Sequence, residues 1–175
     1  FTLLLPFEVL PDAKEKEHTE TALEGSEAKE GSEREYTNLS GLKILLAEDN
    51  EINMEICREM LGMAGIQVTE AWNGREALEA FRASSVSHFD AVLMDMQMPV
   101  MNGLEATKML RKMDQYHGNT IPIIAMTANV AKTDMDKCLA AGMTGHLAKP
   151  LDIHALIAAL VSVRKTGNAK MEKKD

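Results

Sequence analysis

A chain of 175 residues is long enough for one well-packed domain with tails and too short for two comfortable cores. Its 27 acidic against 19 basic residues give a formal charge of -8, which argues against a nucleic-acid surface, since affinity for phosphates rests on Lys and Arg. No apolar run reaches membrane-spanning length, and Cys57 and Cys138 fall in separate helical patterns without metal-type spacing, so both are expected to be reduced thiols in a cytosolic protein.

Residues 1–11 read as a short strand with Pro6 and Pro11 around its end, too small to bury its own side chains. Without an initiator Met or a basic leader, the chain reads as an excised fragment whose first strand belongs to a missing domain. Residues 12–40 are dense in Glu and offer no core-facing stripe, so an acidic disordered linker is expected. A transient acidic helix is the alternative, because Glu and Ala are good helix formers.

From residue 41 to 165 short apolar strands alternate with amphipathic helices. Strands are expected over Lys43 to Ala47, Gln67 to Ala71, Ala91 to Met94, Pro122 to Met126 and Gly145 to Ala148. Between them, apolar residues at helical spacing predict helices over Ile52 to Ala64, Gly74 to Ser84, Gly103 to Gln115 and Val130 to Ala141. A last helix, Ile153 to Val163, closes the pattern before a polar tail over residues 166–175. Gly65, Gly118 and Gly142 stand where helices should stop. Five β-α units predict a single α/β domain, a flavodoxin-like (βα)5 fold. Its parallel five-stranded sheet would have the order 2-1-3-4-5, with helices on both faces.

The chemistry concentrates where strands end. Asp95 follows the apolar run Phe89-Asp90-Ala91-Val92-Leu93-Met94, and the strand Lys43 to Ala47 runs directly into Glu48-Asp49. In the expected strand order these are neighbours at the carboxyl edge of the sheet, where open α/β sheets bind ligands. Three carboxylates at one lip are tolerable with a cation between them, which is the chemistry of a hard divalent ion, most simply Mg²⁺. Asn50 is the natural cap for the helix that follows, and Asn53 one turn on can help fix the loop. The Met residues at 94, 96, 98, 101 and 109 read as packing rather than a metal box.

Four motifs carry a resemblance. Leu46-Ala47-Glu48-Asp49-Asn50, Leu93-Met94-Asp95-Met96-Gln97-Met98-Pro99, Ala125-Met126-Thr127-Ala128 and Ala148-Lys149-Pro150 resemble the receiver domain of two-component response regulators. The type is the one found at the carboxyl end of hybrid sensor histidine kinases, matched from about Lys43 to Val163. The resemblance implies that Asp95 accepts a phosphoryl group from a partner's phosphohistidine. It implies Mg²⁺, with Mn²⁺ as substitute, held by Glu48, Asp49, Asp95 and the backbone carbonyl of Gln97. Lys149 would bond the acceptor and then the phosphoryl oxygens; Thr127 would add a hydroxyl to the phosphoryl group and serve as the switch. Ala128 would leave attacking groups access to the phosphate. The Lys149-Pro150 bond would be cis, although an X-Pro bond is trans by default.

His146 stands where the family usually has a Tyr or Phe that swings inward, and it reads either as that switch residue or as a partly exposed strand residue. Asn102 replaces the usual Asp of the turn and is expected to cap the third helix. Phe1-Thr2-Leu3-Leu4-Leu5-Pro6 more weakly resembles the last strand of a histidine kinase ATP-binding domain. The implied partners are the dimerisation domain of a histidine kinase as phosphohistidine donor, and a histidine phosphotransfer protein as next acceptor. That protein would dock near Ile52, Met54 and Ile56. No nucleic-acid or direct membrane contact is expected of this fragment; the domain would lie on the cytoplasmic side of a parent that can be membrane-anchored.

Three other readings compete. A receiver-like module locked in one state would dock or bind metal without turnover. A haloacid-dehalogenase-type hydrolase needs a second Asp two residues after the nucleophile, where Gln97 stands. A flavodoxin needs a Ser, Thr or Gly-rich phosphate loop after the first strand, where Glu48-Asp49 would repel the phosphate.

Overall fold

Ile44-Leu45-Leu46-Ala47 and Ala91-Val92-Leu93-Met94 are apolar at every position, a pattern that only a strand covered on both faces can bury. A computed structural model describes residues 39–113, 118–128 and 131–171 of the chain. In it both segments are central strands and fully buried. The expected first strand, the acidic linker up to residue 38 and the final residues of the tail lie outside the described residues.

The elements are β1 (Lys43–Ala47), α1 (Glu51–Met63), β2 (Gln67–Ala71), α2 (Gly74–Ala83), β3 (Ala91–Asp95), α3 (Gly103–Leu110), β4 (Ile123–Thr127), α4 (Lys132–Ala141), β5 (Gly145–Ala148) and α5 (Ile153–Met171). All strand pairs are parallel, and the order β2-β1-β3-β4-β5 is the expected one. Alternation along the strands divides the core in two. Ile44, Leu46, Leu93, Met126 and Leu147 pack with Met54, Cys57 and Leu61 of α1 and with Leu156 and Leu160 of α5. Leu45, Val92, Met94, Ile123 and Ala125 pack with Leu78 and Phe81 of α2, Leu110 of α3 and Cys138 of α4. Each fully buried Leu or Ile contributes about 1.5–3 kcal/mol of burial, so both faces are well supplied.

Differences from the expected boundaries have local causes. β4 starts at Ile123, because Pro122 has no N–H for the ladder, although its carbonyl accepts from Val92 N. The strand then runs one residue further than expected, to Thr127. β3 likewise includes Asp95. α3 ends at Leu110 rather than at 115, closed by turn bonds from Lys112 N to Met109 O and Met113 N to Leu110 O. Gly118 is therefore no helix stop; a Cβ there would collide with the carbonyl oxygen of Leu110. α5 runs on to Met171, past the expected start of the polar tail, since no Pro interrupts it. Gly65 and Gly142 do follow helices in the left-handed conformation, at φ 69° and 97°.

Candidate functional site

The register brings the strand-end residues together. Ala47 is level with Met94, so the residues that follow, Glu48 and Asp95, are side by side. Asp95 is level with Met126 and Thr127 with Ala148, which carries Thr127 and Lys149 to the same edge. Lys149 N donates to Thr127 O at 2.8 Å, extending the β4-β5 ladder to the lip. Glu48, Asp95 and Lys149 each lie two residues beyond a side chain of the core shared with α1 and α5, namely Leu46, Leu93 and Leu147.

Lys149 Nζ stands 2.8 Å from Asp95 Oδ2 and 2.6 Å from Glu48 Oε2. Gln97 N donates to Asp95 Oδ1 at 3.2 Å. Asn53 Nδ2 donates to Glu48 Oε1 at 3.0 Å, with Asn50 N at 3.4 Å on the same oxygen. Glu48 is 0% exposed and Asp95 5%, whereas Asp49 is open to solvent. Desolvation pushes the Asp95 carboxyl above its ordinary range and Glu48 adds repulsion; the bonds from Lys149 and Gln97 N only partly offset this. Burial alone would lower the Lys149 ammonium, but its bond to Asp95 and the negative charge of the adjoining Glu48 prevail and leave it raised. Burial, and then Glu48, push the Cys57 thiol on the inner side of α1 up to about 11, so it stays a neutral core residue.

The donor set suits a hard cation. One oxygen from each of Glu48, Asp49 and Asp95 falls within a 4.8 Å cluster. Lys149 pairs with two of these three acids, Glu48 and Asp95. The buried Glu48 Oε2 is close to Nζ, yet the angle is not that of a hydrogen bond, so a lone pair remains available. Carboxylate oxygens with one backbone carbonyl are what Mg²⁺ prefers. The cluster opens into a cleft of about 890 Å³ lined also by Gln97, Thr127 and Ala128.

Other expectations fare unevenly. Asn50 caps α1, its Oδ1 accepting from Asn53 N, and Asn102 makes a reciprocal capping box with Glu105 at the start of α3. The residue before α4 is Ala131, with no side-chain cap bond, and Thr127 lines the cleft. The Lys149-Pro150 bond is cis. His146 is 7% exposed rather than a partly exposed strand residue, and desolvation lowers its pKa. Met54 is buried in the core, so of the three residues expected at the docking face only Ile52 and Ile56 are exposed. Met94 and Met98 are buried as packing, but Met109 is 41% exposed. Cys57 and Cys138 are free and buried. Sequence reasoning missed Asp134 and Lys137 in the cleft wall, because only the placement of α4 brings them there. Asn53 was legible as a residue that helps fix the loop, yet its grip on Glu48 was not.

Comparison with known proteins agrees with this geometry. The family described as Response regulator receiver domain matches residues 44–161. The hybrid signal transduction histidine kinase G of Dictyostelium discoideum is 41% identical over 126 residues, which are 71% of this chain and 4% of that protein. The chain thus spans a small part of this curated relative. The receiver domain of the sensor histidine kinase PA1611 from Pseudomonas aeruginosa PAO1 was solved with a magnesium ion coordinated in its active-site cleft. It is 39% identical, covering 69% of this chain and 95% of that one, with a TM-score of 0.62. The receiver domain of the Saccharomyces cerevisiae response regulator Ssk1 was solved in complex with the histidine phosphotransfer protein Ypd1. That match is 31% identical, covers 67% of this chain and 85% of that chain, and has a TM-score of 0.61. With a family match over more than half its length and the family's fold in the expected strand order, this chain belongs to the response regulator receiver domains, the phosphoryl-receiving modules of two-component phosphorelays.

Proposed function

We propose that Asp95 is the phosphoryl acceptor of a receiver domain carried by a hybrid sensor histidine kinase. The observation that carries this reading is the Asp95 carboxylate itself. It is almost fully buried, bonded on one oxygen to Lys149 Nζ and on the other to Gln97 N, and set at the floor of an open cleft. Such bonds orient a weak nucleophile while the rest of the site balances charge. Glu48, Asp49, Asp95 and the Gln97 carbonyl would hold Mg²⁺, or Mn²⁺ in its place, which supplies neutralisation of the transferring phosphoryl oxygens.

An Asp95 oxygen attacks the phosphorus of a phosphohistidine in line. The O–P bond forms as the P–N bond breaks, and its electron pair leaves with the imidazole. Lys149 then exchanges its bond to Asp95 for one to a phosphoryl oxygen, and the Thr127 hydroxyl donates to another; Ala128 leaves the attacking side unobstructed. Water or a second histidine later takes the group from the acyl phosphate. Inward movement of Thr127 is the switch, with buried His146 free of any catalytic role and placed to follow it on the neighbouring strand.

The donor is the histidine of the kinase's own dimerisation domain, in a parent that autophosphorylates with ATP. The next acceptor is a histidine phosphotransfer protein docking on α1, where Ile52 is 69% and Ile56 43% exposed. Residues 1–11 are the remnant of the ATP-binding domain and residues 12–40 the tether. The domain works on the cytoplasmic side, and no described helix is long and apolar enough to cross a membrane.

The test is intact-mass detection of phosphoryl incorporation from a small phosphodonor, with and without Mg²⁺, for this chain and Asp95→Asn. Metal-dependent incorporation that disappears in the variant is the expected result. No incorporation under any donor or metal condition would leave a locked interaction module instead.

A further inference from the structure

Asn53 makes two bonds with separable purposes. Its main-chain N–H donates to Asn50 Oδ1 at 3.0 Å, which completes the cap of α1. Its side-chain amide does not serve the helix at all. Nδ2 reaches back 3.0 Å to Oε1 of Glu48, five residues earlier and 0% exposed. Asn50 N is the other donor to that oxygen, at a longer 3.4 Å.

A carboxylate with no solvent around it takes whatever orientation its donors dictate. Lys149 Nζ lies 2.6 Å from Oε2 and is a strong competing donor. Without the amide, nothing but the long Asn50 contact would keep the carboxylate from turning both oxygens toward the lysine. The amide is a neutral donor, so it fixes Oε1 without supplying charge. Oε2 lacks a hydrogen bond of good geometry, and one Glu48 oxygen lies within the cluster formed with Asp49 and Asp95. Asn53 also lines the cleft, between the exposed Ile52 and the buried Met54.

We infer that Asn53 is a positioning residue for the divalent cation, its amide holding Glu48 so that one carboxylate oxygen faces the acid cluster. This rests on the receiver reading above. Outer partners of metal-binding carboxylates typically change affinity by about 10- to 100-fold when removed. The effect belongs to metal affinity rather than to chemistry, because Asn53 touches neither Asp95 nor the cleft residues Thr127 and Lys149 through any of these bonds.

The test is calorimetric titration with Mg²⁺ of the full chain, of Asn53→Ala and Asn53→Leu, and of both Glu48→Ala and Glu48→Ala/Asn53→Ala. Ala and Leu are better helix formers than Asn and keep the main-chain bond of the cap, so α1 is retained. Circular dichroism confirms it before titration. Each Asn53 variant should bind Mg²⁺ about 10-fold more weakly. In the Glu48→Ala background the second substitution should cost nothing further, and in the Asn53 single variants phosphoryl incorporation should recover at saturating Mg²⁺. Unchanged affinity in Asn53→Ala, or an equal loss with and without Glu48, overturns the inference while leaving the receiver intact. An unsubstituted chain that binds no Mg²⁺ overturns both.

Discussion

Val100 and Arg111 show what single residues bear in this fold. Val100 sits in the loop between β3 and α3 at φ 67° and is 72% exposed. A β-branched side chain in the left-handed region costs about 1–2 kcal/mol, and little burial offsets it here. Val100→Asn, which tolerates that backbone, should therefore raise stability by about 1 kcal/mol in urea denaturation; an unchanged midpoint would mean that the strain is not there. Arg111 is the opposite case. Its guanidinium is pushed down to about 10 by burial and donates to the carbonyls of Gly142 at 2.8 Å, Gly118 at 2.6 Å and Ile121 at 2.7 Å. One cation thus ties the end of α3 to the approach to β4 and the end of α4. Nothing in the linear pattern distinguished this arginine from a solvated one, because its acceptors lie up to 31 residues away.

Among the elements, the start of α3 lies directly against the main chain of Asp95. Gly103 opens it, and a Cβ on Gly103 would collide with the carbonyl oxygen of Asp95. Gly103 N also donates to Met96 O at 3.3 Å. The start of α3 therefore rests against the main chain that aims Asp95. Gly103→Ala must shift one or the other, and we expect a loss of about 1–3 kcal/mol together with slowed phosphoryl incorporation. A variant that is destabilised but phosphorylated at the normal rate would separate the helix from the site. The neighbouring α4 is held differently: its buried side chains, Cys138 and Ala141, lie near its carboxyl end. Helix existence was readable from apolar spacing for both, and so were the start of α3 at Gly103 and the end of α4 at Ala141, yet the end of α3 was not. The end of α3 at Leu110 depends on turn bonds that apolar spacing does not reveal.

For the molecule as a whole, the acid cluster sets a stability cost that pH can reveal. A carboxyl whose native pKa is raised binds protons more readily folded than unfolded. Asp95 therefore favours folding when protonated, and that contribution is lost as pH rises from the unfolded value near 3.8 through the raised native one. Metal-free Asp95→Asn, permanently neutral, should melt above the parent at neutral pH, and the gap should close on acidification through that window. Melting temperature against pH in a chelator checks this; a gap that widens toward low pH would show the wrong sign. Read alone, the sequence determined the strand order, the helices on both faces and the four strand ends that bear Glu48, Asp49, Asp95, Thr127 and Lys149. Those follow from patterns local in the chain: runs apolar at every position, helical spacing, and polar residues where a run stops. Tertiary structure alone decided that His146 is buried, that Met54 faces inward while Ile52 and Ile56 do not, and that Asn53 grips Glu48. Each of these depends on which side chains distant elements press together, and packing in three dimensions leaves no periodic trace in one.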